Sequence, residues 1–320
     1  MTDGLALVAD PAGHGKAKNL ADKVTAQVGQ IILGKNREIK LALACMLAGG
    51  HLLIEDVPGV GKTLLARSLA IALGLDYRRI QFTSDMLPAD IIGVSVFEQK
   101  TAIFRFHQGP LFAELVLADE INRATPKAQS ALLEAMEERQ ITADGTTYDL
   151  PEPFFVIATQ NPTHQIGTFP LPESQLDRFL MRIGLGYPAE PLERKLLRGE
   201  DRRNLLSGIT AVITPVEILE MQAATQGVHV SDALLDYTQA LVRFTREAPE
   251  LELGLSPRGA VDLISAARGW ALINGHEGVH PEDIKAVFPS VATHRLQTRN
   301  ERDRLNPDIA AFVLESVPVP

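Results

Sequence analysis

The sequence predicts an α/β core with a mainly parallel sheet, followed by an all-helical domain. Three observations carry this. Short apolar runs with β character alternate with helical patterns through the first part of the chain. A Gly-rich turn joins one of those runs to a helix. Beyond Tyr187-Pro188 no comparable strand pattern appears.

In order, the expected strands are Leu52–Ile54, Arg79–Phe82, Leu115–Ala118, Phe154–Ala158 and Leu180–Leu185. Helices are expected after the Gly-rich turn, from Leu64 to Ala70, and from Lys127 to Arg139. The second is entered through Thr125-Pro126, a cap followed by proline, and carries Ala128, Leu132, Ala135 and Met136 on one face. The later helices are Leu192–Arg198, Pro215–Ala224, Ser231–Arg246, Pro257–Asn274 and Pro281–Leu296. Two segments alternate as hairpins. Gln140 to Asp149 turns on Asp144-Gly145, a strong hairpin signal. Val94–Phe97 and Ile103–Phe106 flank Glu98 to Thr101 more weakly. Each is a surface hairpin or a moving element beside a ligand site. The expected division is a flexible lead-in over 1–17, an α/β core over 18–188 and a helical domain over 189–320.

Composition narrows the function. The 320 residues carry a net charge of −9, so nonspecific nucleic-acid binding is disfavoured. One cysteine, Cys45, lies in the apolar run Leu41 to Leu47 and reads as a small core residue. With a single cysteine there is no intrachain disulfide. No apolar run reaches membrane-spanning length, and Met1 to Lys16 lacks a signal-peptide core. The expectation is a cytoplasmic, reducing compartment.

The chemistry begins at Asp56-Val57-Pro58-Gly59-Val60-Gly61-Lys62-Thr63. Strand, glycine turn and helix is the arrangement of a phosphate-binding loop. Gly59 and Gly61 let backbone N–H groups approach a polyphosphate. Lys62 adds an ammonium, and Thr63 can give its hydroxyl to Mg²⁺. Asp56 departs from the strict pattern, which has glycine there. Leu115-Val116-Leu117-Ala118-Asp119-Glu120 is an apolar strand ending in two acids. Asp119 suits Mg²⁺, and Glu120 suits a water-activating base. Asn161 ends another apolar strand and either holds the attacking water or stabilises the Asn161-Pro162 turn. Arg178, just before the last strand, either reaches a neighbouring subunit's nucleotide as an arginine finger or is a surface arginine paired with Asp177 or Glu173, which the residues by themselves favour; Arg182 is the second candidate for the finger. Arg258 sits in the first turn of a helix capped by Ser256, where a cation is unfavourable unless an anion binds there; it either contacts an anion or is a solvated arginine. His276 and His280 flank Glu277. Gly278 and Pro281 break the helix that an i,i+4 metal pair needs, so a zinc site is not expected.

These segments together resemble the AAA+ ATPases, and more narrowly the MoxR family. The resemblance runs from Gly29–Lys35 to His294-Arg295-Leu296. It is most specific in Gln108–Ala113, Leu117–Ala124 and Leu132–Gln140, with Ala158–Pro162 and Ser256-Pro257-Arg258 adding to it. That family's first phosphate-loop position is variable, so Asp56 fits. The resemblance implies a five-stranded αβα core, a helical lid, and ATP with Mg²⁺ between them in a ring, commonly a hexamer. Ile32, Leu33 and Gly34 would lie near adenine, with Pro58 to Leu64 around the phosphates. Asn161 would be the first sensor, Arg178 a finger acting on the neighbouring subunit and Arg258 the lid's sensor arginine. The segments 94–106 and 141–150 would be the family's two inserted hairpins. Partners bearing von Willebrand factor A domains, and chaperone-like maturation or metal insertion into enzymes, are likewise implied. A nucleotide-gated interaction switch is the alternative, and a DNA-acting motor is less in keeping with the acidic balance.

Overall fold

The computed structural model describes residues 11–161, 168–198, 205–299 and 308–319. Its first elements are α1 (Pro11–Ile31), α2 (Asn36–Leu47), β1 (Leu52–Glu55), α3 (Lys62–Ala72) and β2 (Tyr77–Gln81). A short α4 (Pro88–Ile92) leads into the hairpin β3 (Gly93–Glu98) and β4 (Ile103–Gln108). Then follow β5 (Leu115–Asp119), α5 (Pro126–Glu138), the hairpin β6 (Gln140–Ala143) and β7 (Thr146–Asp149), and β8 (Phe155–Gln160). α6 (Glu173–Leu176) and β9 (Met181–Ile183) close the core.

The five predicted strands are present within one or two residues of their expected bounds. They form a single sheet in the order β2-β5-β8-β1-β9, with every pairing parallel. Strands buried on both faces read as continuous apolar runs, and alternation then divides them. Leu52, Ile54, Leu115, Leu117, Phe155 and Ile157 face one core. Leu53, Val116, Ala118, Val156 and Ala158 face the other, against Leu132, Leu133 and Met136 of α5. Thr125 caps α5 as its sequence indicates, accepting from the Ala128 N–H. Asp144 and Gly145 both take positive φ, the conformation the 140–149 hairpin turn requires.

The lead-in is shorter than expected: α1 already runs from Pro11, and His14 and Ala17 are buried. The apolar positions Ala17, Ala21, Val24 and Val28 give it a face to bury, which local composition before Lys16 does not reveal.

The helical domain comprises α7 (Glu190–Leu197), α8 (Pro215–Gly227), α9 (Asp232–Glu247), α10 (Pro257–Asn274), α11 (Pro281–Ala292) and α12 (Asp308–Ser316). It also holds a short antiparallel pair, β10 (Leu251–Leu253) with β11 (Gln297–Thr298). α10 lies tightly on α2. A Cβ added at Gly269 would stand 2.5 Å from the Ala44 carbonyl oxygen, so glycine there sets how close the two helices come. Buried Arg295, just past α11, bonds Asp177 and the Leu180 carbonyl of the core, and also pairs with Asp262 of α10. His294 reaches the Phe179 carbonyl. The lid thus grips the stretch that bears Arg178.

Burial also fixes an acid-sensitive contact. His51, just before β1, accepts the Val156 N–H at Nδ1, so Nε2 carries the proton facing the Met136 carbonyl. Burial pulls its pKa down to about 4, and burial depresses His294 as well. The unfolded chain takes up these protons near pH 6.5, so stability is complete above that pH and lost as pH falls toward 4. Asp262 acts oppositely, because burial raises it to about 6. Urea unfolding at pH 7 and pH 5 should therefore show a net loss on acidification, with about 2 kcal/mol from His51 alone. Asp262→Asn should steepen that loss. A flat or rising stability between these pH values would contradict the assignment.

Candidate functional site

Parallel pairing places the carboxyl ends of β1, β5 and β8 side by side, the usual place for a ligand on such a sheet. The phosphate loop leaves β1 there. Gly59 and Gly61 take φ of +88° and +101°, and Gly61 begins α3 with no side chain capping its first turn. α3 has no acid in that turn. Its free N–H groups therefore face a position suited to an anion. Asp56, the departure from the strict pattern, accepts the Val57 and Gly186 N–H groups. It ties the loop to the stretch that leads into the lid.

Lys62 is almost buried and donates to the Asp56 and Gln160 carbonyls and to Asn161 Oδ1, the last at 2.9 Å. Burial lowers its pKa, opposed by Asp56, Asp119 and Glu120. Asn161 Nδ2 donates to Glu120 Oε1 at 3.2 Å. One amide therefore bridges the ammonium and the carboxylate, and its orientation follows from having one acceptor and one donor to satisfy. Thr63 Oγ1 lies 3.2 Å from Asp119 Oδ2. These hard oxygen donors, beside an uncapped helix start, fit Mg²⁺ and a polyphosphate.

Several neighbours are not marked by the sequence. Arg79 Nε and Nη2 hold Asp119 Oδ2 at 3.0 and 2.7 Å, and Thr159 donates to Oδ1 at 2.6 Å. Gln81 and Arg123 donate to Glu120 Oε2. Arg79 and Gln81 alternate onto one face of β2, which pairs with β5. The two-residue spacing is visible in the sequence; that β2 neighbours β5 is not.

Ile32 Cδ1 stands 3.8 Å from where a Cβ on Gly61 would be, so this segment does reach the phosphate loop. A Cβ on Gly34 would collide with Leu192 of α7, and Lys35 bonds the Tyr187 carbonyl. Residues 32–35 therefore lie between the loop and the start of the lid. Val60 and Leu64 pack on the core, while Pro58 stays exposed. A cleft of about 420 Å³ beside the loop is lined by Arg37, Asp56, Val57, Arg182 and Ser290. Arg182 is committed to Glu55 at 2.8 Å.

Arg178 and Arg258 are elsewhere. Both grip Glu137 at the end of α5, at 2.9 and 2.6 Å, and Arg178 also donates to the Leu133 carbonyl. They line a polar cavity of about 260 Å³ with Gly49, His51 and Arg139. Gly49 and His51 precede β1, whereas the phosphate loop follows it, so this cavity lies at the amino ends of the strands, the opposite end of the sheet from Lys62. Arg258, expected as the lid's sensor arginine, therefore stands apart from the phosphate loop of its own chain. Ser256 does cap α10, but the docking of α10 on α2 carries its first turn to the Arg178 end of the sheet.

The two hairpins lean on each other through Phe106 and Tyr148, stacked at 4.5 Å. Val94, Phe97, Ile103 and Phe104 remain exposed on the first of them.

Comparison with known proteins bears on the family and the fold. The profile described as "ATPase family associated with various cellular activities (AAA)" matches residues 51–181, and an AAA lid domain profile matches 243–311. "Uncharacterized protein YeaC" of Bacillus subtilis is 44% identical, with 88% of each chain covered. "Chaperone MoxR1" of Mycobacterium tuberculosis is 38% identical over 98% of this chain and 87% of its own. A crystal structure of a protein from Cytophaga hutchinsonii superposes with a TM-score of 0.87. It is 37% identical and covers 97% of both chains.

Proposed function

Because the chain belongs to the MoxR family of AAA+ ATPases, we propose that it hydrolyses ATP with Mg²⁺ in a ring, most simply a hexamer, and couples turnover to remodelling of partner proteins. The observation that carries the reading is the continuous set Lys62–Asn161–Glu120 beside Thr63–Asp119 at the ends of three adjacent strands.

In this reading Gly59 to Thr63 cradle the phosphates, with Ile32 to Gly34 on the base side. Mg²⁺ would be held by Thr63 and Asp119 and would supply neutralisation of phosphate charge. Lys62 exchanges its carbonyl and amide partners for phosphate oxygens, and Arg79 yields its place on Asp119. Asn161 then keeps its amide nitrogen on Glu120, which accepts the proton of the attacking water. Arg178 and Arg258, at the opposite end of the sheet, suit a neighbour's γ-phosphate, with Glu137 as their partner in an isolated chain. Chaperone-like maturation, metal insertion and partners with von Willebrand factor A domains belong to this proposal; the relative named as a chaperone supports the first of these alone. The paired hairpins are suited to pass the motion on.

ATPase rate per subunit against protein concentration, with mass photometry in ATP, tests the shared site. The rate should rise as rings form. A constant rate from a persistent monomer would remove the ring mechanism and favour a nucleotide-gated switch.

A further inference from the structure

Sequence alone argues against a metal site at His276, Glu277 and His280, because no helix can run through Gly278 and Pro281. The structure agrees that no helix runs there, and reaches a ligand set another way. α10 ends at Asn274, Gly275 turns left-handed at φ +78°, and the His276 N–H closes back on the Ala271 carbonyl. The chain then crosses a short loop to His280, the residue before α11. Val279 N–H donates to the His229 carbonyl, and Gly278 bridges His229, so the loop is pinned along its length.

Asp283, in the first turn of α11, is turned back into this loop. Its side chain is only 2% exposed, and Oδ2 accepts the His280 N–H at 2.8 Å. His276 Nδ1 stands 3.1 Å from both carboxylate oxygens. The rings of His276 and His280 are 4.7 Å apart at 34°. A ligand atom of each of the three residues lies within 4.8 Å of the other two.

The geometry points to a binding site for a divalent transition metal of the Zn²⁺ class, formed by His276, His280 and Asp283 in the lid. Imidazole and carboxylate are the donors such a cation selects. Zinc bonds of about 2.0–2.2 Å need ligand atoms roughly 3.3 Å apart. His280 is exposed, so rotation of its ring can close the remaining gap. Asp283 is already fixed by its backbone bond, and His276 is part-buried against it. Three protein ligands leave a fourth position to water, since His276 remains 34% exposed to solvent. The site is separate from Thr63 and Asp119, and does not depend on how those residues are used. Bound metal would cross-link the α10–α11 loop to the start of α11, the helix that leads to the core-gripping pair His294 and Arg295.

The test uses the full chain without a histidine tag, stripped by chelator and held in excess Mg²⁺. Equilibrium dialysis against Zn²⁺ should give one metal per chain. His276→Ala and His280→Ala should each weaken binding by at least the roughly 10–100-fold that loss of an outer-shell partner costs, while Glu277→Ala should not. Co²⁺ should give a visible d–d band that both histidine variants lose. Asp283 is left intact because it caps α11, and metal-free melting of each variant verifies folding. No stoichiometric Zn²⁺ binding, or equal affinity in both histidine variants, would overturn the site.

Discussion

Glu120→Gln is expected to bind ATP and remain assembled while turnover falls by about 10²–10⁴-fold, the usual worth of a general base. The substitution keeps the shape of the side chain. The introduced amide still offers one oxygen to Asn161, Gln81 or Arg123, so the site should keep its form. It loses the charge and the lone pair that take the proton of water. ATP binding rests on Lys62, Thr63 and the loop amides, none of which bonds the Glu120 side chain. Single-turnover hydrolysis beside nucleotide affinity separates the two effects. Near wild-type turnover would sink Glu120 as the base. A partner that co-purifies only with ATP, and equally well with the variant, would favour the switch over remodelling.

Arg178→Ala is expected to lose about 10³–10⁵ in rate with ATP affinity unchanged, because an arginine finger acts on charge developing in the transition state. That corresponds to about 4–7 kcal/mol of barrier. Arg178 lies at the opposite end of the sheet from Lys62, so a direct effect on chemistry has to come through a neighbour. Mixing Arg178→Ala with Lys62→Ala puts an intact arginine against an intact phosphate loop at some interfaces. Turnover should return in the mixture although each variant alone is inactive. No recovery at any ratio would count against action in trans. The Glu137 carboxylate shared with Arg258 places a second arginine on the same face, and Arg258→Ala in the same mixing assay should be rescued as well.

The contrast between these residues shows which parts of the molecule are readable from sequence. The phosphate loop, Asp119 and Glu120, Asn161 and both hairpins are recognisable because their chemistry is local. Glycines meet backbone demands within one turn, and acids at a strand end need only that strand's alternation. Arg79 and Gln81 are not recognisable. Their role depends on β2 lying beside β5, which is a choice among strand orders that no single segment specifies. Arg258 is readable as a first-turn arginine inviting an anion, but not as a companion of Arg178.

By itself, the sequence determined the nature of this chain: an α/β core with a Gly-rich loop after one of its strands, and a helical lid, with Lys62, Asp119, Glu120 and Asn161 as candidate groups. Apolar periodicity, turn residues and helix caps act over a few residues, so they are written locally. Only the tertiary structure decided which groups meet. It placed β8 between β5 and β1, so that Asn161 spans Lys62 and Glu120. It laid Gly269 against Ala44, carrying Arg258 to the far end of the sheet. It also folded Asp283 back onto His276 and His280 across a broken helix. Such meetings are set by packing between residues distant in the chain, where close contact and burial of the whole surface, and not the preference of any one segment, choose the arrangement.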